Sequence, residues 1–321
     1  MTISVLSQTR AATHRQAVVL CCDAKYLPYA ALTLHTLVQR NPDRAFDLCI
    51  TSLDALVLPP VLQDMGVRFC QIDVGDAFAG LPVNDRFSIA AYLRLALPDA
   101  LGGDYDRILY LDCDIIVAGD ELGAVFDLPL GDRPVAAVSD SVKWKRPGKP
   151  TKDQAALGVT GPYFNSGVML IDCAAFEAQE VRAACIRIAG DHDPAKIHFD
   201  QTLLNLALAD NWIALHPAWN WQWAIVRPMF EHVIDTQIVH FIGVVKPWAD
   251  HKGELPARYR ATAVRFLRTH FPDVAVANPA PDMSRRGFVG WFIQHIAKAG
   301  DFAALMAHHG ADIMQVKRPK P

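Results

Sequence analysis

The chain has 321 residues, 51% of them hydrophobic, and a formal net charge of −3 from 31 basic and 34 acidic side chains. That length accommodates one large α/β core with a smaller appended element, since single domains of this class run to about 250 residues. The balanced charge, without a Lys/Arg stripe interleaved with aromatics, argues against nucleic acid as a partner.

The first ten residues lack a charged segment leading into a long apolar one, and no run reaches the ~18 apolar residues of a membrane span. A cytoplasmic protein is therefore expected. Its seven cysteines (Cys21, Cys22, Cys49, Cys70, Cys113, Cys173 and Cys185) form no C-x-x-C pair and lie mostly in apolar runs, as reduced core thiols do.

Residues 17–22 form a continuous apolar run, the pattern of a parallel strand buried on both faces, and Asp23 closes it. Helical spacing follows in Leu27, Ala30, Ala31, Leu34, Leu37 and Val38, up to Asn41-Pro42. Strands over 46–51 and 67–72 flank a short helix over 59–65. Past the loop with Asn84 and Arg86, a helix from about Ser88 to Leu97 leads through Gly102-Gly103 to an apolar strand over 107–117. This alternation predicts a doubly wound, Rossmann-like, mostly parallel sheet flanked by helices, with ligands at the carboxyl ends of its strands.

The last predicted strand carries Asp112 and Asp114, one residue apart. Side chains alternate along an extended chain, so both carboxylates point the same way and make a hard-oxygen claw for a divalent cation. Such a cation can hold the diphosphate of a sugar nucleotide as a leaving group. A solvated turn and a phosphatase-like site, with the first Asp as phosphoryl acceptor, are the competing readings. Cys113 between the acids is expected to face away, into the core.

A strand into Ser139-Asp140 follows, then a basic Pro/Gly-rich segment over 143–150 that reads as a flap or a surface loop. Downstream lie a strand-turn over 163–171, a helix over 181–188, the segment Phe199-Asp200-Gln201, and a Trp-rich run over 217–223 that reads as packing. The run from Val239 to Trp248 closes the main domain.

In register, Asp23 with Tyr26, the segment 78–84, Arg94 with its neighbours, Leu109-Tyr-Leu-Asp112-Cys-Asp114, Phe164-Asn165-Ser166-Gly167, Asp200-Gln201-Thr-Leu-Leu-Asn205 and His240-x-x-Gly243-x-x-Lys246-Pro-Trp248 resemble the retaining glycosyltransferases of family 8, especially bacterial lipopolysaccharide galactosyl- and glucosyltransferases. The resemblance implies a GT-A fold over 1–253 and a helical extension over 254–321. It implies Mn²⁺, or Mg²⁺, held by Asp112, Asp114 and His240, a ligand set of mixed oxygen and nitrogen that suits Mn²⁺.

It also implies a donor, UDP-galactose or UDP-glucose. Asp23 and Tyr26 would take the uracil, and Lys25, standing where the family often has Asn, would reach ribose or phosphate. Gly243 and Lys246 would meet the diphosphate and Arg94 the donor, while Asn165, Ser166 and Asp200 would hold the hexose. Gln201 would lie beneath the anomeric carbon, with Asp140 lining the sugar and acceptor side. A carboxamide is a poor nucleophile, which favours same-face substitution, with a covalent intermediate on Asp200 as the alternative.

Phe87, where a polar His is often seen, and a segment one residue short between Asn84 and Arg94 point to a different oligosaccharide or lipid-linked acceptor. In the C-terminal extension, Arg285-Arg286 beside Phe288, Trp291, Phe292 and Ile296 fits either peripheral contact with the inner face of the membrane or docking on its own domain. A self-glucosylating, glycogenin-like primer and a non-catalytic nucleotide-sugar sensor are the rival functions.

Overall fold

The computed structural model describes residues 3–81, 89–145, 148–193, 196–197, 199–223, 230–278 and 285–319. The strands are β1 (Ser4–Gln8), β2 (Gln16–Cys21), β3 (Asp47–Ser52), β4 (Arg68–Asp73), β5 (Arg107–Leu111), β6 (Ile115–Val117), β7 (Val135–Ser139), β8 (Phe164–Asp172), β9 (Ile213–Ala214), β10 (Trp221–Gln222) and β11 (Ile238–His240). The helices are α1 (Leu27–Arg40), α2 (Pro60–Asp64), α3 (Leu93–Leu101), α4 (Ser141–Lys145), α5 (Lys152–Leu157), α6 (Cys173–Ala178), α7 (Val181–Asp191), α8 (Phe199–Leu208), α9 (Ala257–His270) and α10 (Arg285–His309).

The main sheet has the order β1-β4-β3-β2-β5-β8-β7-β9. Its β4-β3-β2-β5 block is parallel, while β1 and β8 add antiparallel neighbours. The apolar run of β2 is continuous because both faces are covered: Val18 and Leu20 pack with α1, and Ala17 and Val19 with α3. Strand β1 escapes sequence detection because it is an edge strand, largely exposed, with no apolar alternation.

The predicted strand over 107–117 is two strands. It breaks after Leu111; β5 stays in the main sheet, whereas β6 joins β10 and β11 in a three-stranded sheet. The break turns Asp112-Cys113-Asp114 into a bend between the sheets, and the antiparallel register sets Ile115 opposite His240. The small sheet thus carries the imidazole to the acids.

Helix α9 buries Tyr259, Ala263, Phe266 and Leu267, one face at helical spacing, in the apolar layer that α1 also lines. Leu305 of α10 and Ile313 beyond it reach the same layer. Beside α9, buried Glu231 accepts from the Tyr259 hydroxyl at 2.9 Å and from the Arg258 guanidinium. Burial pushes its carboxyl up to about 7, against the pull of Arg258 and the Tyr259 hydrogen bond. The folded state therefore keeps a proton that the unfolded chain loses near 4.5, so this group's contribution to stability falls as pH rises from about 4.5 to about 7, by up to about 3 kcal/mol. Glu231→Gln should flatten that part of a melting-temperature profile against pH; an unchanged slope would refute the assignment.

Candidate functional site

Asp112, Asp114 and His240 each offer a ligand atom within 4.8 Å of the others. The imidazole Nε2 lies 3.1 Å from Asp114 Oδ1 and 3.7 Å from Asp112 Oδ2. Lys246 Nζ donates to Asp114 Oδ2 and to the Phe241 carbonyl, each at 2.6 Å. Burial alone would push the Asp114 carboxyl up, but His240 and Lys246 outweigh it and hold the group well below the usual carboxylate range.

Gly167, on β8, forms the wall of this cluster. A Cβ there would fall 2.2 Å from His240 Cε1 and 2.6 Å from Asp112 Oδ2, so only hydrogen fits. Two charged oxygens and an imidazole nitrogen packed against a glycine wall fit Mn²⁺ or Mg²⁺ by donor chemistry. Cys113 turns away as expected: its thiol is buried, 3.6 Å from the Cys21 carbonyl.

Arg94, on α3, is a buried bridge beneath the site and no surface ion pair. Its guanidinium donates to Asp112 Oδ1 at 2.9 Å and to the Ser166 carbonyl at 2.9 Å, and lies 3.2 Å from Asp200 Oδ2. It stacks over the Tyr110 ring at 4.4 Å, and the Tyr110 hydroxyl donates to Asp112 Oδ1 at 2.6 Å. Asp200, at the start of α8, accepts from the Ser166 hydroxyl at 2.9 Å. Burial pushes its carboxyl up, and the nearby Arg94 charge only partly offsets this.

Gln201 follows Asp200. Its Oε1 accepts from Asn165 Nδ2 at 3.1 Å and from the Ser166 backbone N–H at 3.2 Å. Burial pushes the Asp140 carboxyl up. Asn165, Ser166, Asp200 and Gln201 therefore form one polar patch that Arg94 joins to the Asp112, Asp114 and His240 cluster.

At the end of β2, Asp23 Oδ1 accepts from the Tyr26 backbone N–H at 2.9 Å. Tyr26 is 43% exposed, and its hydroxyl is pushed up by burial and by the charges of Asp114 and Asp23. Lys25 is exposed, and Gly243 has open space beside its α-carbon. In the basic segment after Asp140, Lys143 is buried and its Nζ donates to the Lys149 carbonyl at 2.9 Å. Arg146 and Pro147, Asn84, Arg86 and Phe87, and the side chains of Arg285 and Arg286 lie outside the described residues.

Sequence reasoning missed Asn220, buried between Trp219 and Trp221, whose Oδ1 lies 3.1 Å from His240 Nδ1. The Trp-rich run does pack, with Trp219 and Trp221 fully buried. That apolar context hid the amide at 220.

A sequence model of glycosyl transferase family 8 matches residues 17–252. The chain belongs to this family. General stress protein A of Bacillus subtilis (strain 168) is 31% identical over 198 residues, 57% of this chain and 66% of that protein. Lipopolysaccharide glucosyltransferase WaaO of Escherichia coli (strain K12) is 31% identical over 189 residues, 57% of this chain and 56% of that protein. The family 8 chain thus spans between about half and two thirds of the length of these curated relatives. Among solved structures, the galactosyltransferase LgtC in complex with donor and acceptor sugar analogs superposes with a TM-score of 0.65 at 22% identity, over 84% of this chain and 99% of that one. At that identity the likeness establishes the fold, GT-A, as the family resemblance implied. Among the described residues no helix is long and apolar enough to cross a membrane.

Proposed function

We propose that this family 8 chain is a metal-dependent retaining glycosyltransferase that moves galactose or glucose from a UDP-sugar to a glycan acceptor, in lipopolysaccharide or other surface-glycan synthesis. The observation that carries this reading is the convergence of Asp112, Asp114 and His240 beside a buried patch of carboxylate, amide and hydroxyl groups, the chemistry that recognises sugar hydroxyls. Relatives named as lipopolysaccharide glucosyltransferase WaaO and lipopolysaccharide 1,3-galactosyltransferase support the substrate class and leave both hexoses open.

Mn²⁺ or Mg²⁺, bound by the two acids and the imidazole, supplies a Lewis acid for the departing diphosphate. Lys246 and the open backbone at Gly243 take the same phosphates; Tyr26 and Asp23, with Lys25 at the rim, take uracil and ribose. Asn165, Ser166 and Asp200 hold the hexose hydroxyls, and Asp140 lines the acceptor side. Both lone pairs of the Gln201 carbonyl oxygen are already engaged by donors, so it offers none for attack at the anomeric carbon. Same-face substitution accommodates that: the bond from the anomeric carbon to UDP breaks, the bond to the acceptor oxygen forms, and the acceptor proton passes to the departing phosphate.

Five of the seven tyrosines are buried and Tyr29 stacks on Trp248 at 4.2 Å, which leaves a self-glucosylating primer few tyrosines to use as acceptor. An intact ligand set argues against a non-catalytic sensor. Proton NMR of the glycoside formed from UDP-galactose or UDP-glucose should show the α-anomer, the configuration of the donor. A β-linked product would overturn retention.

Peripheral contact with the inner face of the membrane has support in α10. Phe288, Val289, Phe292, Ile293 and Ile296 are 44–61% exposed, while His295 and Leu305 are buried. That apolar stripe follows Arg285-Arg286 in sequence, a pairing suited to an anionic lipid surface. Phe292→Asp combined with Ile293→Asp should abolish sedimentation with anionic vesicles; equal sedimentation would reject the membrane role.

A further inference from the structure

A chain of three carboxamides connects the metal cluster to Gln201. His240 Nδ1 lies 3.1 Å from Asn220 Oδ1, Asn220 Nδ2 donates to Asn165 Oδ1 at 2.8 Å, and Asn165 Nδ2 donates to Gln201 Oε1 at 3.1 Å. Asn220 is fully buried, and Asn165 and His240 nearly so.

Two backbone groups fix the direction of every bond in this chain. The Gly167 N–H points at Asn165 Oδ1 at 3.2 Å, and the Ser166 N–H points at Gln201 Oε1 at 3.2 Å. A backbone N–H only donates, so both facing atoms must be oxygen. Asn165 then presents its oxygen to Asn220, which must answer with its NH₂. The remaining oxygen of Asn220 faces His240, which must donate from Nδ1. Nε2 is thereby left with its lone pair on the side of Asp112 and Asp114. At the other end, the Gln201 NH₂ is turned away from Asn165 and the Ser166 N–H.

We propose that Asn220 is a positioning residue that locks His240 in the Nδ1–H tautomer required for metal ligation and, through Asn165, fixes the orientation of the Gln201 carboxamide beneath the sugar. The second half rests on the glycosyltransferase reading above; the first does not. Groups that orient a ligating histidine in this way commonly change metal affinity about 10–100-fold when removed. The relay also means that a change at the metal ligand can be felt at Gln201, since reversing one amide would set two acceptors or two donors face to face.

The test begins on the wild-type protein without metal, labelled with ¹⁵N at histidine, the His240 signals being assigned by their loss in His240→Gln. The lock predicts that Nδ1 carries a proton in the neutral and the charged ring alike; a neutral ring protonated only at Nε2 overturns it, whether or not any variant folds. Mn²⁺ binding, followed by the electron paramagnetic resonance of the free ion, should weaken about 10–100-fold in Asn220→Leu. Asn220→Asp keeps an acceptor for Nδ1 but loses the donor to Asn165, so Mn²⁺ affinity should hold near the wild-type value while kcat falls about tenfold or more. Wild-type Mn²⁺ affinity in Asn220→Leu, or equal losses of affinity and kcat in Asn220→Asp, would refute the relay. Failure of the wild-type protein to bind Mn²⁺ would remove the metal reading and leave the tautomer result standing.

Discussion

Asp114→Asn is expected to lower Mn²⁺-dependent turnover by about 10³-fold or more, since a catalytic metal supplies several kcal/mol and each 1.36 kcal/mol is a factor of ten. Asp114 is the carboxylate on which the cluster turns. It meets His240 through one oxygen and Lys246 through the other, and these two neighbours hold its carboxyl below the usual range in spite of burial. An amide keeps the shape and loses the charge. The fold should survive, because Lys246 retains the Phe241 carbonyl and its side chain stays 24% exposed to water. Initial rates of UDP release at saturating Mn²⁺, alongside a thermal melt, check both parts. Wild-type turnover in a folded Asp114→Asn protein would remove Asp114 from the metal site.

Gly167→Ala should have an effect of similar order through sterics alone. The added methyl would sit 2.2 Å from His240 Cε1, inside any real contact distance, and 2.6 Å from Asp112 Oδ2. Strand β8 is hydrogen-bonded on both sides, to β5 and to β7, so its backbone has little room to retreat and the two ligand side chains must give way. The expected result is loss of Mn²⁺ binding by about 100-fold or more, while overpacking costs about 1–3 kcal/mol of stability. Titration of Mn²⁺ against the folded variant decides it. Affinity within a few-fold of wild type would mean that the cluster can open without losing its geometry.

Much of this molecule was legible in its sequence because buried parallel strands are apolar throughout and acids at their ends stand out. The run over 17–22 and the Asp112-x-Asp114 spacing are of that kind. What periodicity could not see was the break after Leu111, since β6 continues the same apolar pattern into a different sheet. The pairing of Ile115 with His240, 125 positions away in the chain, is a tertiary fact with no local signature. Asn220 was hidden for a related reason: a polar residue between buried tryptophans reads as packing until its partners are known. Arg94 was picked out by resemblance alone, since nothing in its local spacing foretells its buried contacts to Asp112, Ser166 and Asp200.

The most direct measurement is UDP release from a panel of nucleotide sugars by enzyme stripped with a chelator, before and after Mn²⁺ is restored. The account predicts release from UDP-galactose or UDP-glucose only after Mn²⁺ is returned. Release at the same rate from the stripped enzyme would contradict it.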